Sequence, residues 1–565
     1  MDEPWLEVIR SSATWEDMRA VYKTKNIAAC EAKLINRRLV RKSFWSTLEG
    51  PTSETSDLAF TLFDRYGRLN REYYEHDFKK GTGVWGKELD HGEILLFESV
   101  EVDEHWQRRG VGAKLVNAIL EKAKQKVGGL TGPIAVVQPI IRRGIGIFQN
   151  QEQMAARHEE IKGIEVIARN FWRSLGFRRI GTSDWFARID SPDHPSRHLE
   201  PSSDWEPPEE PRDVRITGDF LTLFRATADR RVKDDDCINI LQILSGNPGN
   251  QHWLKADKHS NTLLHLAAMS SKPQVVKFML SKAAGLAGLR NWEGYTPLEA
   301  LENRLELSRT RESMFDVTAV VSDEFRGYSD ASIACMATLR NIEAFELSTL
   351  SPSDIEFVSS ATDEQANSMP HINVAGIRKC LQLKFGCTCG ECIGGFISPR
   401  MSFALIYAAE TEHDNIMDFP YWVAPHGYTT YVPYEVQEKI ETDRSVHKGF
   451  AELWLIFARC LSNRMVPSEN GIMNMSGQHS TNSPPAKTTF LAHGGSVSHV
   501  AKLIFEQARI QDEWAGHGLL RENLGNNQER IDKLPACRND HEFGFVSGMC
   551  GYDIAVTLDG FRVDV

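Results

Sequence analysis

Val100-Glu101-Val102-Asp103-Glu104-His105-Trp106-Gln107-Arg108-Arg109-Gly110-Val111-Gly112-Ala113-Lys114-Leu115-Val116 is the stretch whose reading decides the fold. An alternating strand ends at Val102. A short hinge follows, and Gln107 to Gly112 opens an amphipathic helix. A helix start leaves backbone N–H groups unpaired and carries a partial positive charge. Two glycines remove the Cβ atoms that would keep phosphates away from that backbone. The stretch therefore reads as an anion site with Arg108 and Arg109 beside it. It has neither the Gly-x-Gly-x-x-Gly of a dinucleotide fold nor the Gly-Lys-Ser/Thr of a P-loop.

Around this stretch, apolar spacing predicts strands over 94–102 and 133–141 and helices over 110–126 and 162–175. Leu115, Ile119 and Leu120 share a helix face. Arg142 to Glu160 is polar and reads as an insertion. In Ala168-Arg169-Asn170-Phe171-Trp172-Arg173-Ser174-Leu175-Gly176-Phe177, Gly176 is expected to end a helix in left-handed geometry. Phe177 then starts a last strand running through Ile180 to Trp185-Phe186.

The spacing Val102-x4-Gln107-x-x-Gly110-x-Gly112 resembles motif A of the GNAT acetyltransferase superfamily, and 168–177 resembles its motif B. The resemblance covers residues 1–190. It implies an α/β domain, a mixed central sheet flanked by helices, with acetyl-CoA lying between splayed strands 94–102 and 133–141. It also implies that backbone N–H groups of Gln107, Arg108, Arg109, Gly110, Val111, Gly112 and Ala113 hold the pyrophosphate. The Arg108 and Arg109 side chains either add charge or stand in solvent. The thioester is implied near Val100 and Val102, with Phe171 and Trp172 also at the cofactor. The family's glutamate base has Leu96 in its place. Glu98, one pleat on, is the candidate base, with Glu93 and Glu101 expected on the opposite face; a water chain is the alternative. The family's acid tyrosine falls on Trp172, whose indole is no usable acid, so Trp172 either slows the reaction or is core. The motif's asparagine is Glu165 here.

At 565 residues the chain is multidomain. Its net charge of −12 argues against a general nucleic-acid binder. It shows no signal peptide and no apolar run long enough to span a bilayer. Ten scattered cysteines point to reduced thiols in cytoplasm or nucleus. Pro192, Pro195, Pro201, Pro207, Pro208 and Pro211 predict an extended, acidic linker over 191–213.

After it, Asp257 to Ala268 and Asn291 to Ala300 place Thr262 and Thr296 thirty-four residues apart. That period and the Thr-Leu-Leu-His and Thr-Pro-Leu-Glu cores resemble ankyrin repeats. The resemblance implies degenerate helical repeats over 214–350, flanking units at Arg215–Leu244 and Thr318–Leu347, and a protein partner. Residues 370–565 read as mostly helical, near 401–417, 434–463 and 497–513, with a mobile loop over Asn463–Lys487. They resemble the uncharacterised tail of certain fungal ankyrin proteins. There Cys387, Cys389 and Cys392 form a candidate structural zinc site, the fourth ligand being Cys380, His371, Cys537 or His541. Buried reduced cysteines are the other reading. The whole chain reads as an acetyl-CoA-dependent N-acetyltransferase acting on an amine. The alternatives are a degenerate GNAT scaffold or an acetyl-CoA sensor.

Overall fold

The computed structural model describes residues 3–16, 24–128, 132–139, 151–208, 216–245, 251–314, 317–350, 352–361, 373–418, 431–477, 486–516, 518, 528–554, 556–558 and 561–563. The chain divides into two compact units, 1–210 and 211–565.

The first unit is built on a six-stranded sheet: β1 (Leu6–Glu16), β2 (Thr24–Ile35), β3 (Ile94–Val102), β4 (Ile134–Val137), β5 (Arg178–Arg179) and β6 (Phe186–Arg188), in spatial order β1-β2-β3-β4-β6-β5. Only β3 and β4 run parallel; every other pair is antiparallel. Helix α1 (Ser53–Leu62) starts in a reciprocal cap between Thr52 and Thr55. Helix α2 (Val111–Val127) buries Leu115, Val116, Ile119 and Ala123 on the sheet and ends at left-handed Gly128. Helix α3 (Gln151–Ser174) carries Phe171 and Trp172 to the same core and stops at Gly176, φ +86°. It starts earlier than the expected 162; residues 142–150 of the expected insertion lie outside the described residues. The expected single last strand is instead a hairpin. Gly181, φ +54°, turns the chain between β5 and β6.

The described part of the proline-rich segment expected to be an extended linker, residues 191–208, folds back onto this unit. Pro195–His198 is a helical turn, with proline at the first position where its missing N–H costs nothing. Asp204 is fully buried on Arg173 at 2.7 Å, and Glu206 also bonds Arg173. Arg178 donates to the Leu199 carbonyl at 2.8 Å and Arg179 to that of Trp205 at 3.1 Å. The prolines neither kept short helical turns out of the segment, as Pro195–His198 and Pro201–Ser203 show, nor excluded docking.

The second unit opens with helices α4 (Gly218–Ala228) and α5 (Asp234–Ser245), then α6 (Leu263–Met269), α7 (Pro273–Lys282), α8 (Pro297–Thr310) and α9 (Asp330–Leu339). The 34-residue period is a period in hydrogen bonding. Asp257 N–H reaches Asn261 O at 3.0 Å and Asn291 N–H reaches Tyr295 O at 2.8 Å. Thr262 N–H reaches His265 Nδ1 at 3.2 Å, and Thr296 N–H reaches Glu299 Oε2 at 2.8 Å. Nδ1 accepts there, so Nε2 carries the proton and donates to Tyr295 O, 3.0 Å away in the next unit. The expected flanking unit over 318–347 is not a helix pair. A hairpin of β7 (Arg311–Met314) and β8 (Val317–Val320) precedes the single helix α9.

The C-terminal helices α10 (Val374–Lys384), α11 (Pro399–Asp418), α12 (Arg444–Ser462), α13 (Val497–Gln511) and α14 (Phe543–Met549) share one hydrophobic core with α4–α9. The expected division between 214–350 and 370–565 therefore does not separate two cores. Within the expected loop over 463–487, Glu469–Gly477 is helical, and 478–485 lie outside the described residues. No helix among the described residues is long and apolar enough to cross a membrane.

Candidate active site

Strand β3 is flanked on both sides only over its first half. It pairs with β4 from Ile94↔Ile134 to Phe97↔Val137, and then, among the described residues, Glu98–Val102 continues beside β2 alone. At the same point the β2 register slips, with Glu31 opposite Ser99 and Ala32 opposite Phe97. Glu98 is thus the extra residue of a β-bulge, and the bulge shifts the alternation by one. Leu95, Phe97, Val100 and Val102 face the core under α2 and α3, while Leu96, Glu98 and Glu101 belong to the other face. Glu101 was expected opposite Glu98; strict period-two counting fails across an inserted residue.

Glu98 Oε1 receives Lys33 Nζ at 2.8 Å and Thr52 Oγ1 at 2.6 Å. Lys33 and Glu98 side chains are 6% and 12% exposed. No hydrogen bond falls on Glu98 Oε2 among the described residues. Neither Lys33 nor Thr52 was singled out from the sequence. The helix-capping Thr52-x-x-Thr55 pattern was the one local signal, and nothing in it pointed to β3.

After Val102, the Asp103 side chain accepts the His105 N–H at 3.1 Å and is held by Lys25 Nζ at 2.8 Å. The bonded ammonium keeps its carboxyl below the usual range. Gln107 N–H is used within the hinge, on Glu104 O at 3.4 Å. Its side-chain amide donates to Val102 O at 3.0 Å, folding the hinge back on the strand. Arg108 has φ +57° and Gly110 φ +77°. Left-handed residues interspersed in a loop turn successive N–H groups toward one side, as in anion nests. Gly110 precedes α2 with no side-chain cap, and the N–H groups of Val111, Gly112 and Ala113 have no partner among the described residues. Arg108, Arg109 and Lys114 are exposed, and the Arg109 guanidinium lies 5.3 Å from the Trp106 ring centre.

A Cβ on Gly112 would sit 3.4 Å from Phe171 and 3.6 Å from Val100, so the α2 start, β3 and the α3 end converge here. Trp172, 6% exposed, is ringed by Phe97, Phe171 and Phe177 at 4.9–5.3 Å between ring centres. Glu165 lies 3.9 Å from Arg169, one turn along α3.

Residues 72–138 match the model of the acetyltransferase (GNAT) family. No curated protein and no solved structure matched the chain. The GNAT match contains β3, the hinge, α2 and β4, and it supports acetyltransferase chemistry in general. Phe171 and Trp172 lie beyond it.

In the second unit, Cys387, Cys389, Cys392 and Cys537 form a cluster in which all sulfurs lie within 4.8 Å of one another. Cys537 was one of four candidates for the fourth position. Cys380 is elsewhere, with Sγ toward Glu343 O at 3.6 Å. His541 bonds Asp512 at 2.9 Å, and His371 lies outside the described residues.

Proposed function

We propose that the first unit is an acetyl-CoA-dependent N-acetyltransferase acting on an amine. One observation carries this reading. A strand outruns its parallel partner and leads, through left-handed Gly110, into an uncapped helix start. The free N–H groups of Val111, Gly112 and Ala113 suit a pyrophosphate, and exposed Arg108 and Arg109 add positive charge. The β3 edge from Glu98 to Val102 suits the amides of pantetheine.

Acetyl-CoA brings a thioester. The amine nitrogen attacks its carbonyl carbon, the C–N bond forms and the C–S bond breaks, and coenzyme A leaves as a thiolate that takes up the proton released by the acylated nitrogen. A backbone N–H near Val100 or Val102 steadies the developing oxyanion. An unperturbed amine is mostly protonated at pH 7 and must first lose a proton. Glu98 Oε2 takes it, while Lys33 and Thr52 fix the carboxylate through Oε1. The amine is a protein lysine or N-terminus, or a small molecule. The ankyrin-like units around Thr262 and Thr296 recruit a protein partner.

The test is calorimetric titration of the full chain with acetyl-CoA, followed by assay of thiol release with an amine panel. No binding heat at millimolar ligand would remove the proposal. A second reading, a catalytically degenerate scaffold, is favoured by Trp172. That ring is packed in the core where the GNAT resemblance places an acid, a loss that costs on the order of 10² in rate. Binding without turnover would support it.

A further inference from the structure

The four-cysteine cluster is a built site. Neighbouring sulfurs stand 3.6 Å (Cys387–Cys389), 3.7 Å (Cys389–Cys392) and 3.6 Å (Cys392–Cys537) apart. A tetrahedron with Zn–S bonds of about 2.3 Å has sulfur–sulfur edges of roughly 3.8 Å. Backbone N–H groups already point at these sulfurs: Gly390 to Cys387 at 3.3 Å, Glu391 to Cys389 at 3.4 Å and Thr388 to Cys537 at 3.4 Å. Such donors spread the negative charge that four thiolates accumulate around a divalent ion, and they fix ligand orientation.

The segment bearing Cys537 is seated independently of any ion. Asp540 accepts the Cys537 N–H at 2.9 Å, and Arg538 N–H reaches Thr388 Oγ1 at 3.0 Å. Fully buried Asn539 donates to the Phe385 and Phe396 carbonyls at 3.2 and 3.3 Å. Glycines permit the turn. A Cβ on left-handed Gly395 would lie 2.6 Å from the Leu381 carbonyl oxygen.

We propose that Cys387, Cys389, Cys392 and Cys537 bind one zinc ion as thiolates, and that this ion locks the turn after α10 to the chain entering α14. Binding exchanges four thiol protons for Zn²⁺. Four sulfurs in tetrahedral array select a soft or borderline ion over magnesium or calcium, and leave no coordination position open for substrate. The ion is structural, and it bridges residues 145 positions apart in sequence.

The full chain, purified under reducing conditions, should retain one zinc ion after dialysis against a weak chelator, read by elemental mass spectrometry. Exchange into cobalt should give the strong visible ligand-field bands of a tetrahedral tetrathiolate. Cys537→Ser should weaken and shift those bands and raise protease sensitivity of the segment after α13, whereas Cys380→Ser should leave the spectrum unchanged. The cobalt spectrum of the unmutated chain keeps the test informative if Cys537→Ser fails to fold. A metal-free reduced chain, iron with labile sulfide, or identical spectra from Cys537→Ser and the unmutated chain would each overturn the proposal.

Discussion

The turn before α2 and the turn after α10 use the same backbone device for different ends. Gly110 holds φ +77° and Gly390 φ +75°, and a Cβ at either would meet nothing within 4 Å. Gly390 spends its N–H on a sulfur of its own chain, whereas the N–H groups just after Gly110 have no partner among the described residues. One turn is closed on ligands the fold supplies; the other is open to an anion from outside. Glycine geometry prepares a backbone to meet an acceptor, and the rest of the fold decides where that acceptor comes from.

The harshest way to break this contrast is Gly110→Trp. Acetyl-CoA affinity should fall at least ~10²-fold by calorimetry, through left-handed strain and an indole over the open N–H groups. Metal content should not change. Retained affinity would mean that the turn is not the phosphate site. Next is Gly395→Ala, where strain and the collision with Leu381 O should together cost about 3 kcal/mol in urea unfolding.

Glu98→Gln should lower kcat roughly 10²-fold with acetyl-CoA affinity intact. An unchanged rate would move the base elsewhere. Asp90 probes the first unit by pH. Burial pushes its carboxyl up to about 6 from 3.8, so its stabilising contribution is complete below 3.8 and lost as pH rises through 6. Asp90→Asn keeps an oxygen for the Leu69 N–H, 2.8 Å away. It should raise stability at pH 7 by on the order of 2 kcal/mol, and thermal melts should show the gain gone near pH 4. The smallest effect is expected for Gly390→Ala, about 1 kcal/mol, since only the backbone angle resists it.

Short-range features were legible in the sequence. The bounds of β3 and α2, the stop at Gly176 and the 34-residue period each depend on neighbours within a few positions or on one repeat. What escaped depends on distant partners. Nothing in Phe97-Glu98-Ser99-Val100 announces a bulge; it falls where β4 leaves β3 while β2 stays. Lys33 and Thr52 join Glu98 only through the fold of the sheet and the cap of α1. Cys537 could be offered only as one ligand among several, because the spacing of Cys387, Cys389 and Cys392 says nothing about a residue so far along the chain.

The ion pair between Arg173 and Asp204, 5% and 0% exposed, has a practical consequence for anyone cutting this gene. A fragment ending at residue 190 would strand a guanidinium in the interior without its counter-charge, a penalty of about 3–5 kcal/mol, at the very helix end that presents Phe171 and Trp172. An enzyme assay on that truncation would report on a damaged protein; expression boundaries belong beyond Glu206.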